Sequence, residues 1–210
     1  MWRDALVIED IETRSLWSQV TGECISGKLE GKSLLLFPSS LTTYVEFKKQ
    51  YPHGKLLAKL DKGPPRSPYD LYFADDSQLG TFGRVDNFER LKGKDIVFGL
   101  RLDGKQVAIS QDYLLERQFA VLKQFSPPVV VTYDAVSNSV AAFSLPAQLA
   151  DSSDLTLVDD RITLNSGRTA WNARTGQLLS GEGSNLASRP ITSAFWFAWV
   201  SFFPETELLK

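Results

Sequence analysis

Two arginine–tryptophan pairs stand at the same spacing in this chain: Arg14 three residues before Trp17, and Arg168 three residues before Trp171. A guanidinium beside an indole can hold an anion with its fork of N–H donors, or lie over the ring face as a cation on a π system. The structural alternative is that each arginine bonds the carbonyls of the adjacent turn. Two acidic pairs, Asp75-Asp76 and Asp159-Asp160, carry the carboxylates that acid–base chemistry needs, provided their surroundings push the two pKa values apart. Adjacent acids in turns ordinarily face water. Asp75-Asp76 is the stronger candidate because it falls in a long irregular connection, where functional residues concentrate. Arg14, Trp17, Arg168, Trp171, Asp75 and Asp76 thus form the candidate ligand-binding set, and no catalytic residue is singled out.

Other chemistry has little material. His53 is the only histidine and Cys24 the only cysteine. A His-paired nucleophile, a multi-histidine or multi-thiolate metal site and an intrachain disulfide all need more. His53, between Pro52 and Gly54, reads as an exposed turn residue, and Cys24 as a small buried apolar one. No phosphate-cradling glycine loop, nucleophile elbow or zinc-protease helix motif is present, so neither a metal nor a cofactor is expected. The 23 basic and 25 acidic residues are scattered and leave a net charge of −2, so no nucleic-acid partner is expected; the partner stays open between a small molecule and a protein.

The aromatic cluster Phe195-Trp196-Phe197-Ala198-Trp199 could stack against a base or a sugar, but crowding on all sides of a helix is the mark of a buried element. The apolar run around it, Ala194 to Phe203, is about half of the roughly 20 residues that a membrane-spanning helix needs. It reads as a core helix, and no membrane span is expected.

The elements that must position these residues read mostly as β. A strand over Ala5 to Ile11, a second from Leu16-Trp17 to Thr21-Gly22, a third over Glu23 to Ser26 and a fourth over Ser33 to Phe37 are predicted. Tyr44, Phe47, Lys48 and Tyr51 then fall at helical spacing, with Thr43 placed to cap, and Pro52 and Gly54 end the helix. Asp61 to Leu91 reads as a long connection that opens on the break Lys62-Gly63-Pro64-Pro65-Arg66-Ser67-Pro68. Ile96 to Leu102 and Lys105 to Ser110 form a hairpin across Asp103-Gly104, a pair suited to a type I′ turn. Asp112 to Leu122 fits either a helix or a turn and strand. Val129 to Tyr133 pairs with Ser139 to Phe143, and Leu155 to Val158 with Arg161 to Leu164. The fold class predicted is mainly β, α+β by strict count, built of antiparallel hairpins with two or three short helices.

An internal repeat organises the elements. Trp17-Ser18-Gln19-Val20-Thr21-Gly22 matches Trp171-Asn172-Ala173-Arg174-Thr175-Gly176, and Ile25-Ser26-Gly27 matches Leu179-Ser180-Gly181, at a constant offset of 154. After a two-residue deletion the match resumes with Pro38 and Pro190, Tyr44 and Trp196, Phe47 and Trp199, Tyr51-Pro52 and Phe203-Pro204, and Leu56-Leu57 and Leu208-Leu209. Residues 1–210 are read as a single domain. Repeat units of about 11–60 and 163–210 flank a central β region, 92–145, in a pseudo-two-fold arrangement.

Three groups of motifs resemble the protein family described as domain of unknown function 3179. They are Thr13-Arg14-Ser15-Leu16-Trp17-Ser18-Gln19 with Thr21-Gly22-Glu23; Val97-Phe98-Gly99 leading into Asp103-Gly104; and Phe195-Trp196-Phe197-Ala198-Trp199 followed by Phe203-Pro204. The resemblance covers most of the chain and implies no established activity. It also implies a further segment ahead of the first repeat, with a short cysteine motif around a Cys-Pro core.

Two functions follow as expectations. The first is a non-catalytic binding or scaffold module, from the scarcity of nucleophile, base and metal-ligand sets. The second is an enzyme, or part of a metal- or thiol-dependent one, joining Arg14, Arg168 and the acids of the long connection and completed by an N-terminal segment missing here. The apolar run Ala5 to Ile8 is too short for a signal peptide. The compartment is cytoplasmic if Met1 is the true start and exported if an upstream segment is missing.

Overall fold

The structure, a computed structural model, describes residues 2–3, 5–57, 69–80, 89–149, 154–164 and 167–210. The glycine- and proline-rich break at Lys62 to Pro68 lies outside the described residues. In chain order the first elements are β1 (Val7–Glu9), β2 (Leu16–Ser18), β3 (Cys24–Ser26), α1 (Tyr44–Gln50) and α2 (Asp70–Ala74). Next come β4 (Ile96–Leu102), β5 (Lys105–Ser110), α3 (Gln111–Arg117), β6 (Phe119–Leu122), β7 (Val129–Asp134) and β8 (Ser139–Ser144). The chain ends with β9 (Thr156–Val158), β10 (Arg161–Leu164), β11 (Thr169–Asn172), β12 (Leu178–Ser180), β13 (Ala187–Ser188), β14 (Thr192–Phe195), α4 (Trp196–Phe202) and β15 (Glu207–Leu209).

The protein is mainly β, with antiparallel pairing in all four sheets. Among the described residues it has four α-helices, where two or three were expected. Helix α3 has a local cause. The Ser110 hydroxyl accepts the Tyr113 N–H and starts α3, and Gln118, at φ 58°, ends it by returning its own N–H to the Leu114 carbonyl. Asp112 to Leu122 is therefore helix first and strand second. One predicted strand is corrected: in Ser33 to Phe37 a single bridge joins Ser33 to Glu23, and no named strand forms. A strand needs a partner edge along its length, and after the Leu34 N–H reaches the Gly22 carbonyl no ladder continues.

The chain divides into two compact units, each assembled from three stretches. One comprises Met1–Leu34, Thr43–Asp95 and Phe195–Pro204; the other comprises Leu35–Thr42, Ile96–Ala194 and Glu205–Lys210.

The second unit holds three four-stranded sheets, in the orders β14-β4-β5-β15, β13-β8-β7-β6 and β12-β11-β10-β9. Strand β7 explains how two cores fit in it. Side chains alternate across a strand, so Val129, Val131 and Tyr133 enter a core shared with β4, β5 and α3, while Val130 enters another shared with β10 and β11. Its partner β8 keeps the same parity, with Ala142 opposite Val131 in the first core and Phe143 opposite Val130 in the second. A strand buried on both faces reads as a continuous β-branched run, and each fully buried valine contributes about 1.5–3 kcal/mol. The hairpin turn between β4 and β5 has Asp103 and Gly104 both at positive φ, as the type I′ geometry requires.

The first unit is built on the antiparallel meander β1-β2-β3 and on α4. Five of the seven α4 residues are buried: Trp196, Phe197, Trp199, Val200 and Phe202. Phe195 offers no capping side chain, so the backbone carbonyls of Asp95 and Gly93 accept the first two helical N–H groups, from Trp196 and Phe197. Arg90 lies over the Trp196 ring at 4.9 Å and donates to the Pro204 carbonyl, and Trp2 meets Phe202 edge-on at 5.2 Å. The aromatic cluster is thus a core helix, as its crowding implies. Among the described residues no helix is long and apolar enough to cross a membrane.

Candidate functional site

Trp17 sits mid-meander, where β1 pairs with β2 as Val7 with Ser18, Ile8 with Trp17 and Glu9 with Leu16. On its other side β2 pairs with β3 as Leu16 with Ser26 and Trp17 with Cys24, with a bulge between Leu16 and Trp17. Burial of the indole requires a partner for its N–H, and Asp10, in the loop between β1 and β2, accepts it at 2.9 Å. The same carboxylate accepts the backbone N–H and the hydroxyl of Thr13. The Trp17 N–H first, and Thr13 next, hold the Asp10 carboxyl at about 2, below its ordinary 3.8. Arg14 takes a left-handed φ of 59° in this loop, and its exposed guanidinium pairs with Glu9 at 2.9 Å.

In the second unit Trp171 occupies a meander with the same registers. Strand β10 meets β11 as Arg161 with Asn172, Ile162 with Trp171 and Thr163 with Ala170. Strand β11 meets β12 as Ala170 with Ser180 and Trp171 with Leu178, with the bulge between Ala170 and Trp171. All five of these pairs lie 154 positions beyond their counterparts around Trp17. The polar partners differ: Trp171, 1% exposed, donates to the Ser184 carbonyl at 3.0 Å. Arg168 is exposed just before β11. A cavity of about 490 Å³ opens beside Trp171, lined also by Pro146, Leu149, Thr169 and Glu182.

Asp75 and Asp76 follow α2 in the first unit, both exposed. The Ser77 hydroxyl and backbone N–H bond the Asp75 carboxylate and lower its pKa. Lys94 secures the same turn by donating to the carbonyls of Tyr72 and Asp75, with its ammonium 3.8 Å from the Tyr72 ring centroid. Among the described residues no ion pair joins either acid to Arg14. The structure therefore brings Arg14 and Trp17 into one loop-and-strand arrangement around Asp10 and keeps Asp75 and Asp76 in a separate turn. Cys24 is buried in β3 with its thiol donating to the Ser26 carbonyl. His53 is exposed in the turn after α1.

Two features escaped the sequence reading. Arg174 pairs with Asp134 at 2.9 Å and Asp160 at 3.3 Å, linking residues 40 and 14 positions apart. Burial pushes the Asp134 carboxyl up, but the Ser137 hydroxyl, the Val136 N–H and the Arg174 guanidinium together bring it below its ordinary range.

The second feature is the surface of α1. Thr43 caps it, accepting the Glu46 N–H, as its position predicts. Yet α1 has no buried residue. Val45 is 74% exposed, Tyr44 and Tyr51 are exposed, and beyond the turn Leu56 and Leu57 are 60% and 100% exposed. The Phe47 ring packs against Tyr51 and lies 2.5 Å from where a side chain on Gly54 would begin, so the chain folds back closely there. Phe47, Gln50, Tyr51, Pro52, His53 and Lys55 line an open, mainly apolar cavity of about 560 Å³. Helical spacing marked this face as apolar; its exposure had no sequence signal.

A family model described as "Protein of unknown function (DUF3179)" matches residues 1–206. No curated protein and no solved structure matches the chain.

Proposed function

Since the chain belongs to the family of unknown function DUF3179, membership brings no activity with it, and we propose that the protein is a non-catalytic binding or scaffold module whose partner is a protein. One observation carries this reading: the apolar surface of Tyr44, Val45, Tyr51, Leu56 and Leu57 lies open in the first unit. Single exposed leucines are ordinary, but apolar side chains gathered along one short helix and the segment after it mark an interaction surface. Fully covering a leucine or valine contributes about 1.5–3 kcal/mol, so a partner that covers Val45 and Leu57 gains appreciably from both. The burial of Cys24 weighs against thiol chemistry in this chain, because a reactive thiol needs access and a field that favours the thiolate.

Photo-crosslinking tests this directly. A benzophenone side chain placed at position 45 or 57 of the full chain, in an extract of the native source, is expected to give discrete protein adducts. The same group at Val136, equally exposed but in the β7–β8 turn, is expected to give none. Equal adducts at all three positions, or none at 45 and 57, would remove the basis for a protein-binding role at this surface.

A further inference from the structure

Positions 152 apart in the two repeat units adopt the same local structure in different surroundings. Helices α1 and α4 start at Tyr44 and Trp196 and each run seven residues. Each is closed by the same backbone bond, from the N–H of Tyr51 to Phe47 and from the N–H of Phe203 to Trp199. A proline follows both, at Pro52 and Pro204, and then Leu56-Leu57 and Leu208-Leu209. Upstream, the Leu34 N–H bonds the Gly22 carbonyl and the Leu186 N–H bonds the Gly176 carbonyl, both at 2.8 Å. The two helices, their closing bonds and the bond upstream of each thus share one local backbone pattern, although α4 is preceded by β14 and α1 by no strand among the described residues.

Their surroundings diverge in what covers them. Leu208 and Leu209 form β15, which pairs in parallel with β5 as Glu207 with Val107, Leu208 with Ala108 and Leu209 with Ile109. Five residues of α4 are buried and none of α1 is. The counterpart of β15, Lys55 to Leu57, has the same leucine pair and belongs to no strand among the described residues. What covers β15 and α4 therefore indicates what α1 and Leu57 lack.

We propose that Lys55 to Leu57 is a docking strand that pairs in parallel with the free edge of an antiparallel β-hairpin on a partner protein, while the apolar side of α1 packs against that protein. The partner strand needs the chemistry of β5: consecutive small and branched apolar residues like Val107, Ala108 and Ile109, within a hairpin whose outer edge is open. Main-chain bonds supply the affinity in strand addition, and pockets for alternate side chains supply the selectivity. A second copy of this chain does not meet the requirement, because both edges of its β5 are already taken by β4 and β15. This proposal rests on the protein-binding reading above and specifies its partner.

The probe is a backbone-cyclised peptide carrying the hairpin sequence of residues 96–110, added to the full-length protein and followed by amide hydrogen exchange. Saturable protection of the amides of residues 55–57, by tenfold or more, is expected. Leu57→Asp, at a fully exposed position, should abolish that protection with the melting temperature unchanged, and Leu57→Ile should retain it. Protection that appears elsewhere, that survives in Leu57→Asp, or that is present at 55–57 through self-association before peptide is added would each overturn the proposal. Crosslinks at positions 45 and 57 without exchange protection there would leave the binding surface standing and reject the docking strand.

Discussion

The indole N–H of Trp17 donates to Asp10 at 2.9 Å across the loop between β1 and β2. This bond joins a buried core residue to the carboxylate that organises the Thr13–Arg14 turn. It also couples the first meander to pH. The Asp10 carboxyl titrates at about 2 when folded, below its ordinary 3.8. Its contribution is therefore complete above the ordinary value and is lost as pH falls through the folded one.

Trp17→Phe, which keeps a ring but removes the donor, is expected to move the Asp10 pKa up toward 3.8. The stability that this carboxyl loses on acidification then becomes smaller, and the loss is complete at a higher pH than in the unaltered protein. Carboxyl carbon NMR titration reads this shift, and Thr13→Val provides an independent smaller one. An Asp10 pKa unmoved in both variants would contradict the assignment.

Glycine positions separate backbone strain from crowding. Gly181, at φ 87°, would place an added methyl 2.6 Å from the Thr169 hydroxyl and 2.7 Å from the Arg168 carbonyl oxygen. Gly31, at φ 80°, faces open space. Gly31→Ala is expected to cost about 1–2 kcal/mol for left-handed backbone alone. Gly181→Ala should cost roughly 1–3 kcal/mol more, because backbone atoms in the facing strand must shift. Urea denaturation of both variants checks the difference.

The second residues of α4 and α1 should respond differently to truncation. Phe197 is 4% exposed and Val45, 152 positions earlier, is 74% exposed. Phe197→Ala is expected to destabilise by about 3–5 kcal/mol through cavity formation. Val45→Ala should stay within about 0.5 kcal/mol. Thermal melts distinguish the two, and a large loss in Val45→Ala would mean that α1 is already covered.

Local chemistry was legible wherever a few adjacent residues decide the backbone. Asp103-Gly104 reads as a type I′ turn because both positions favour positive φ, and both have it. Asp159 and Asp160 read as a hairpin turn, and they stand at 45° and 58°. Thr43 was placed as a cap by its distance from Glu46, and it is one. The run Val129 to Tyr133 had enough β-branched residues to be read as a strand, though not to show that its two faces serve two cores.

The candidate site was legible only in part. The spacing of Arg14 and Trp17 marks them in the sequence, whereas nothing in a lone aspartate seven residues upstream of Trp17 announces an indole partner. Arg174 and Asp134 are hidden for a similar reason: one lies in the β11–β12 turn and the other at the end of β7, and sequence distance carries no record of their meeting.

By itself the sequence determined the mainly β class, the turn positions and the start of the helix after Thr43. These depend on backbone preference and side-chain periodicity, which act over a few residues. Only the tertiary structure decided that Ser33 to Phe37 forms a single bridge, that α1 is exposed, and that Leu209 lies in a ladder while Leu57 does not. The physical reason is the same in each case. Periodicity specifies which side of an element is apolar, whereas burial and strand pairing depend on whether a partner edge or surface from elsewhere arrives to cover it.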